Sequence, residues 1–364
     1  MALNRLEITS VRNLKRVVLK ELSTANLFYG ANGSGKTSIL ESIHMLGMGR
    51  SFRSGQIKSV ISHGTDSCTV FGQLADSQHR TLGVARDRQG GLEAKIAGER
   101  VQARSELAAA MPLQVIHADS FNLLAGSPTH RRQFMDWGVF HVEHVFFAAW
   151  QRLQKAIKQR NSLLRRGKIS ASELRPWDHE FCEAGEQVNR ARQQYLAALA
   201  PVFLRAIARL APGLSELQLV YRQGWDKSLA LAEALLAVQE TDRQHGFTHV
   251  GPQRADIRIS CEGYKASEML SRGQQKLVVC ALKLAQGQLM REGGGASCLY
   301  LIDDLPAELD AEHCGLVAAA LQDMEAQVFV TCVDEKEILS AWPLSSTADR
   351  AMFHVEHGVA GRIK

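Results

Sequence analysis

Residues 30–37 read Gly30-Ala31-Asn32-Gly33-Ser34-Gly35-Lys36-Thr37 and meet the phosphate-loop pattern G-x-x-x-x-G-K-S/T at every fixed position. The apolar run Ala25-Asn26-Leu27-Phe28-Tyr29 precedes them, and helical spacing (Ile39, Leu40, Ile43, Met45) follows. Strand, glycine-rich turn and helix is the context the pattern requires. Gly30, Gly33 and Gly35 let the backbone turn so that its N–H groups converge on an anion. The helix aims its positive end at the same point. Ala31, Asn32 and Ser34 complete the cradle, Lys36 supplies a point charge for the β- and γ-phosphates, and the Thr37 hydroxyl suits Mg²⁺. The segment predicts an α/β fold that binds a nucleoside triphosphate.

Such a loop needs an acidic partner at a neighbouring strand end. Leu299-Tyr300-Leu301-Ile302-Asp303-Asp304 has the required form, four apolar residues and then two carboxylates. Asp303 is expected to hold Mg²⁺ through water, and Asp304 to orient or activate the attacking water. Taken alone, the segment is also what a buried strand ending in a solvated turn looks like.

With 364 residues the chain is too long for one ordinary core, so two packed units or one large domain with an insertion are expected. Apolar residues make up 45% and charged residues 22%, which excludes a disordered tail. No apolar run reaches the length of a membrane helix, and Met1-Ala2-Leu3-Asn4-Arg5-Leu6-Glu7 lacks the features of a secretory leader. The seven cysteines are scattered, with no closely spaced pair, and read as reduced thiols in the cytoplasm rather than disulfides or a zinc site.

Strand signals dominate the first 115 or so residues, with a hairpin from Leu6–Thr9 and Val17–Leu19 and a further strand at Leu113–His117. Between 121 and 247 they give way to helical periodicity, as in Phe146–Leu164 and Gln187–Leu210, without the strict heptads of a long coiled coil. Strands return at Ile257–Ile259, Cys298–Ile302 and Val328–Thr331. The expected organisation is a discontinuous ATPase lobe, 1–120 with 248–364, carrying a helical arm over 121–247. The pentapeptide Phe140-His141-Val142-Glu143-His144 recurs at Phe353–His357, but fits no metal-ligand spacing.

Many enzymes share the two phosphate motifs, so other segments choose among them. In Leu270-Ser271-Arg272-Gly273-Gln274-Gln275-Lys276, Ser271 precedes an amphipathic helix and by itself reads as an ordinary N-cap. It lies 32 positions before Asp303, however, and Ala307-Glu308-Leu309-Asp310 follows closely. That ordered set resembles the signature, Walker B and D-loop of ABC-type ATPases. Within that superfamily the chain resembles the RecF family over nearly its whole length. The resemblance rests on Val11-Arg12-Asn13-Leu14, the Ala118–Asp136 segment with Gly126-Ser127-Pro128-Thr129-His130-Arg131-Arg132, the stretch Gly251-Pro252-Gln253-Arg254-Ala255-Asp256, and Leu301–Asp310. Ala118 stands where the family usually has Pro, and Gln253 where His is usual. No His follows Val328–Thr331, and Asp304 replaces the Glu of transporters.

The resemblance implies an ABC-type, SMC-like head that binds ATP and Mg²⁺ and hydrolyses ATP slowly. Lys36, Asp303 and Asp304 would be its catalytic groups, and Thr37 and Asp303 its metal ligands. It also implies an ATP-dependent homodimer in which Ser271, Gly273 and Gln274 of one subunit cap the nucleotide on the other. The implied partners are double-stranded DNA and single-strand/double-strand junctions, with RecR and RecO, and through them RecA, at the nucleoid and without a membrane. Two rivals are a transporter ATPase subunit, which would need a membrane partner, and an SMC-like structural head, which would need a long heptad insertion. A small-molecule kinase would have no use for the Ser271–Gln274 set. Arg131 and Arg132, beside Asp136, are expected either to contact DNA or to bridge the arm to the head.

The net charge of +5 divides unevenly, as +5 for residues 1–120, +5 for 121–250 and −5 for 251–364. Residues 151–168 hold Arg152, Lys155, Lys158, Arg160, Arg165, Arg166 and Lys168 without an acid. A helix with that face can track phosphates, although a solvated helix face has the same composition. Of these, Arg152, Lys155, Lys158, Arg165 and Arg166 are the candidate DNA contacts.

Overall fold

The computed structural model describes residues 2–167, 170–214, 216–342 and 350–363. The chain separates into two compact units, Met1–Ser120 with Lys276–Lys364, and Phe121–Gln275.

The first unit holds two six-stranded sheets. One runs in the order Val359–Ile363, Arg350–Glu356, Ala25–Tyr29, Val328–Cys332, Leu299–Ile302 and Leu113–Ile116, and only the first pair is antiparallel. Its inner strands are buried at every position or nearly so, which explains their continuous apolar runs. Register aligns Tyr29 with Cys332 and Ile302 with both Val330 and Ile116, so the strands end together on the phosphate-loop side. Ligands of open parallel sheets bind beyond such carboxyl ends.

The other sheet is antiparallel and contains the expected N-terminal hairpin, Leu3–Val11 with Leu14–Leu19, followed by Ser67–Leu74, Thr81–Asp87, Leu92–Ile96 and Glu99–Arg100. Alternation along Ser67–Leu74 turns Cys68, Val70, Gly72 and Leu74 inward. The helix Lys36–Met48 packs against that face through Ile39, Leu40, Ile43 and Leu46, in one core with Leu301 and Phe329 of the parallel sheet. At Gly72 a β-carbon would collide with Leu46 and Leu3, so the helix approaches the sheet only over glycine.

The second unit combines the helices Pro128–Val142, Phe146–Leu164 and Ala171–Leu210 with a three-stranded antiparallel sheet, Tyr264–Lys265, Asp256–Cys261 and Leu217–Arg222. The strand Leu217–Arg222 lies in the stretch expected to form the helical arm, and it pairs with Asp256–Cys261. The segment 248–275 therefore groups with this unit, and the observed division falls after Gln275. Two bidentate ion pairs brace the unit. Arg131 donates to Asp256 at 2.7 and 3.1 Å, and Arg192 donates to Asp136 at 2.8 and 3.0 Å. Arg132 donates to the Ala255 carbonyl at 3.0 Å. The paired arginines thus clamp the Gly251–Asp256 segment, and Asp136 belongs to Arg192.

One copy of the repeated pentapeptide ends a helix and the other lies on a strand. No group of three or more His, Cys, Asp or Glu among the described residues is placed to hold a metal. All seven cysteines are free thiols. No helix among the described residues is long and apolar enough to cross a membrane.

Candidate nucleotide-binding site

The loop between the central strand and Lys36–Met48 is held open by glycine. Gly30, Gly33 and Gly35 have φ of 150°, 79° and 120°, and a β-carbon on Gly30 would strike the Val355 carbonyl oxygen. Lys36 is buried in the loop, its Nζ donating to the carbonyls of Gly30 at 2.6 Å and Ala31 at 3.0 Å. Burial lowers its pKa, and the carboxylates of Asp304 and Asp303 oppose that shift. The Ser34 hydroxyl is buried without a hydrogen-bond partner. A buried hydroxyl left unpaired in a cradle of glycines and one ammonium group fits a phosphate oxygen.

Neighbouring elements fix the loop. Asn13 donates from Nδ2 to the Gly33 carbonyl at 3.0 Å and accepts from the Ser38 hydroxyl at 3.1 Å. Arg12 donates to the fully buried Glu41 at 2.9 and 2.8 Å. From the C-terminal hairpin, Gly358 N–H donates to the Ser34 carbonyl at 2.9 Å. Sequence reasoning singled out Asn13 as part of a motif without a role, and missed the hairpin. The hairpin's signal was the alternation of Phe353 and Val355 before Gly358.

The structure brings Thr37 and Asp303 together, the Thr37 hydroxyl donating to Asp303 Oδ1 at 2.9 Å. Thr331, at the end of the adjacent strand, donates to the same oxygen at 2.8 Å and accepts the Asp304 N–H at 3.0 Å. This bridging residue was not anticipated; a hydroxyl closing the apolar run Val328-Phe329-Val330 is the signal that marks it. Asp304 sits in the left-handed region, φ 55° and ψ 48°, a strained position for a non-glycine residue. Burial raises its pKa, the neighbouring Asp303 raises it further, and Lys36 opposes.

At the start of the helix Arg272–Glu292, Ser271 and Gln274 form a capping box. Ser271 N–H donates to Gln274 Oε1 at 2.9 Å, and Gln274 N–H donates to Ser271 Oγ at 3.3 Å. Ser271 and Gly273 are exposed. On the same helix Lys276 pairs with Glu308 of the Ala307–Asp310 segment at 2.6 Å.

The basic run 151–168 does not form one free face. Arg152 pairs with Glu180 at 2.7 Å and with Glu183 at 2.9 Å, and these acids hold its pKa above the ordinary guanidinium value. Arg160 is fully buried between Asp178 and Asp242, at 2.6 Å from each. Lys155, Lys158, Arg165 and Arg166 remain exposed, and Lys168 lies outside the described residues.

A phosphate loop on an inner strand of a mainly parallel sheet, its helix covered by an antiparallel sheet, with a carboxylate pair at the end of the next strand but one, beyond Val328–Cys332, defines an ABC-type, SMC-like ATP-binding head. Residues 2–357 match the RecF/RecN/SMC N terminal domain family. The DNA replication and repair protein RecF of Pseudomonas fluorescens is 49% identical over 360 residues, 98% of this chain and 97% of that protein. The RecF of Pseudomonas syringae pv. syringae is likewise 49% identical over the same shares. The chain belongs to the RecF family. In fold it is similar to the recombination mediator protein RecF-ATP of the RecFOR pathway, with a TM-score of 0.87 at 23% identity over 100% of this chain and 98% of that one. It is also similar to an Smc head bound to the C-winged helix domain of ScpA, with a TM-score of 0.61 at 18% identity over 100% and 97%.

Proposed function

We propose that the chain is an ATP-gated DNA clamp of recombinational repair. ATP binds with its phosphates in the loop Gly30–Thr37, contacted by Lys36 and the Ser34 hydroxyl. Thr37 and Asp303 would hold Mg²⁺, whose charge would offset that building on the phosphates. Asp304, whose pKa is raised by burial and by the neighbouring Asp303 carboxylate, accepts the proton of the attacking water. Its strained backbone and Thr331 keep it apart from the metal ligand Asp303.

One observation carries the gating. Gly273 is helical and exposed, and a β-carbon there would meet nothing within 4 Å. Glycine is a poor helix former, and no neighbour among the described residues of this chain requires it in this first turn. A close approach from outside does. We assign that approach to the nucleotide on a second copy, so that Ser271, Gly273 and Gln274 close over the γ-phosphate and the dimer forms only with an intact triphosphate. Hydrolysis then releases the clamp, and slow turnover suits a switch. The clamp acts in the cytoplasm on duplex DNA beside single-strand gaps, and with RecO and RecR assists RecA loading.

Sedimentation and nucleotide binding with ATP test this reading. Lys36→Met is expected to lose ATP binding. Ser271→Arg is expected to bind ATP and stay monomeric; a Ser271→Arg protein that dimerises like wild type would sink the cross-subunit model.

A further inference from the structure

The loop 245–254 of the second unit presents an aromatic ring among cations, and nothing in the ATP mechanism uses it. Phe247 is 38% exposed. His249 lies against it with centroids 4.1 Å apart, His245 lies stacked at 6.0 Å, and the Arg254 guanidinium carbon stands 5.4 Å from the ring centroid. Arg165 packs on Gly246, which has φ 73° and ends the helix Gln239–His245; a β-carbon there would stand 3.1 Å from Arg165 Cγ. Arg165, Arg166 and Arg254 are exposed and form no ion pair among the described residues.

This surface is held rigid from below. Asp242, fully buried, accepts from Arg160 Nη1 at 2.6 Å and from the His249 N–H at 3.0 Å, and its carboxylate meets His249 Nδ1 at 2.7 Å. Thr248 accepts from Arg160 Nη1 at 2.8 Å and donates its hydroxyl to Asn161 Oδ1 at 2.7 Å. Burying an ion pair gains little stability over an apolar core. Here it fixes Thr248 and His249, the two residues that follow Phe247. A solvent-facing phenyl ring locked by such a network has little conformational freedom to lose on stacking.

A ligand for this surface must offer a flat apolar face beside negative charge. We propose that the loop stacks an unpaired base of a nucleic-acid strand on Phe247, with Arg165, Arg166 and Arg254 contacting the flanking phosphates. The proposal rests on the DNA-clamp reading, and it assigns recognition of the single-stranded part of the substrate to this surface. Every base has a π-face, so the contact is blind to sequence.

The test uses the full chain with ATP and three probes: a blunt duplex, the same duplex carrying a single-strand gap, and a single strand. Phe247→Ala is expected to bind the gapped duplex and the single strand about tenfold more weakly, and the blunt duplex within about twofold of wild type. Phe247→Trp is expected to retain binding, with indole fluorescence quenched by the single strand and left unchanged by an abasic strand of equal charge. Phe247→Ala behaving as wild type on all three probes overturns the stacking site and leaves the clamp standing, as does equal quenching by the abasic strand. Wild-type protein that binds none of the probes overturns both.

Discussion

Thr331 holds two consecutive acidic residues in different ways, Asp303 by its carboxylate and Asp304 by its backbone. Its hydroxyl donates to Asp303, reinforcing the bond from Thr37, and accepts the backbone N–H that fixes Asp304 in its strained turn. In Thr331→Val the shape is kept, but the part-buried Asp304 N–H loses its partner, at a cost of about 1 kcal/mol. Single-turnover hydrolysis is expected to slow about tenfold, with ATP affinity changed by less than about threefold, because the loop contacts of Lys36 are untouched. Equal losses in both would place Thr331 in binding instead. Behind the loop, His44 is buried and its Nδ1 meets the Arg50 carbonyl at 2.7 Å. Burial pushes its pKa down to about 4 from 6.5. The unfolded chain therefore binds more protons than the folded one between those limits, so stability falls as pH drops from 6.5 towards 4. His141, likewise lowered to about 4 by burial, adds to the same slope. His44→Gln is expected to narrow the gap in Tm between about pH 7 and about pH 5.

Among the elements, those buried on both faces were legible in the sequence, because apolar runs such as Ala25–Tyr29 and Leu299–Ile302 carry their own signal. The helix Phe146–Leu164 was legible through its period. Leu217–Arg222 was not: it lies at the edge of its sheet, only Leu217 is buried, and its partner comes some 35 residues later. The helix Arg272–Glu292 could be read at its start because a capping box is local, Ser271 with Gln274. What the sequence hid were partners distant along the chain. The basic run on Phe146–Leu164 looked like one face, yet Arg152 and Arg160 are matched by Glu180, Glu183, Asp178 and Asp242 from other elements. Arg160→Met leaves two carboxylates short of a cation and is expected to lower unfolding stability by about 3–5 kcal/mol. Adding Asp242→Asn should recover part of that loss in urea melts. If Arg160→Met melts like wild type, the network does not support the helix pair.

At the scale of the whole molecule, the charge follows the observed units rather than the linear thirds. The first unit, with 22 basic and 23 acidic residues, carries −1, and the second, with 21 and 15, carries +6. The surplus of residues 1–120 is cancelled within its own unit by the acidic segment 276–364. Long-range attraction for a polyanion therefore resides in the second unit, and within it only in cations not already matched. This separates two arginines of one helix that composition cannot tell apart. Each phosphate neutralised by a protein cation adds about 0.9 to the slope of log affinity against log salt for duplex DNA, and about 0.7 for a single strand. Arg152, held by Glu180 and Glu183, should contribute almost nothing to that slope, since a guanidinium already neutralised by carboxylates displaces no counterion from the DNA. Arg165 and Arg166 are exposed and unpaired among the described residues. The double variant Arg165→Gln/Arg166→Gln is expected to flatten the slope by about 1.4–1.8 on gapped DNA. Arg152→Gln should leave the slope and the affinity close to wild type. The opposite pattern, a slope carried by Arg152 and indifferent to Arg165 and Arg166, would move the nucleic-acid surface to the middle of the helix and away from the loop that holds Phe247.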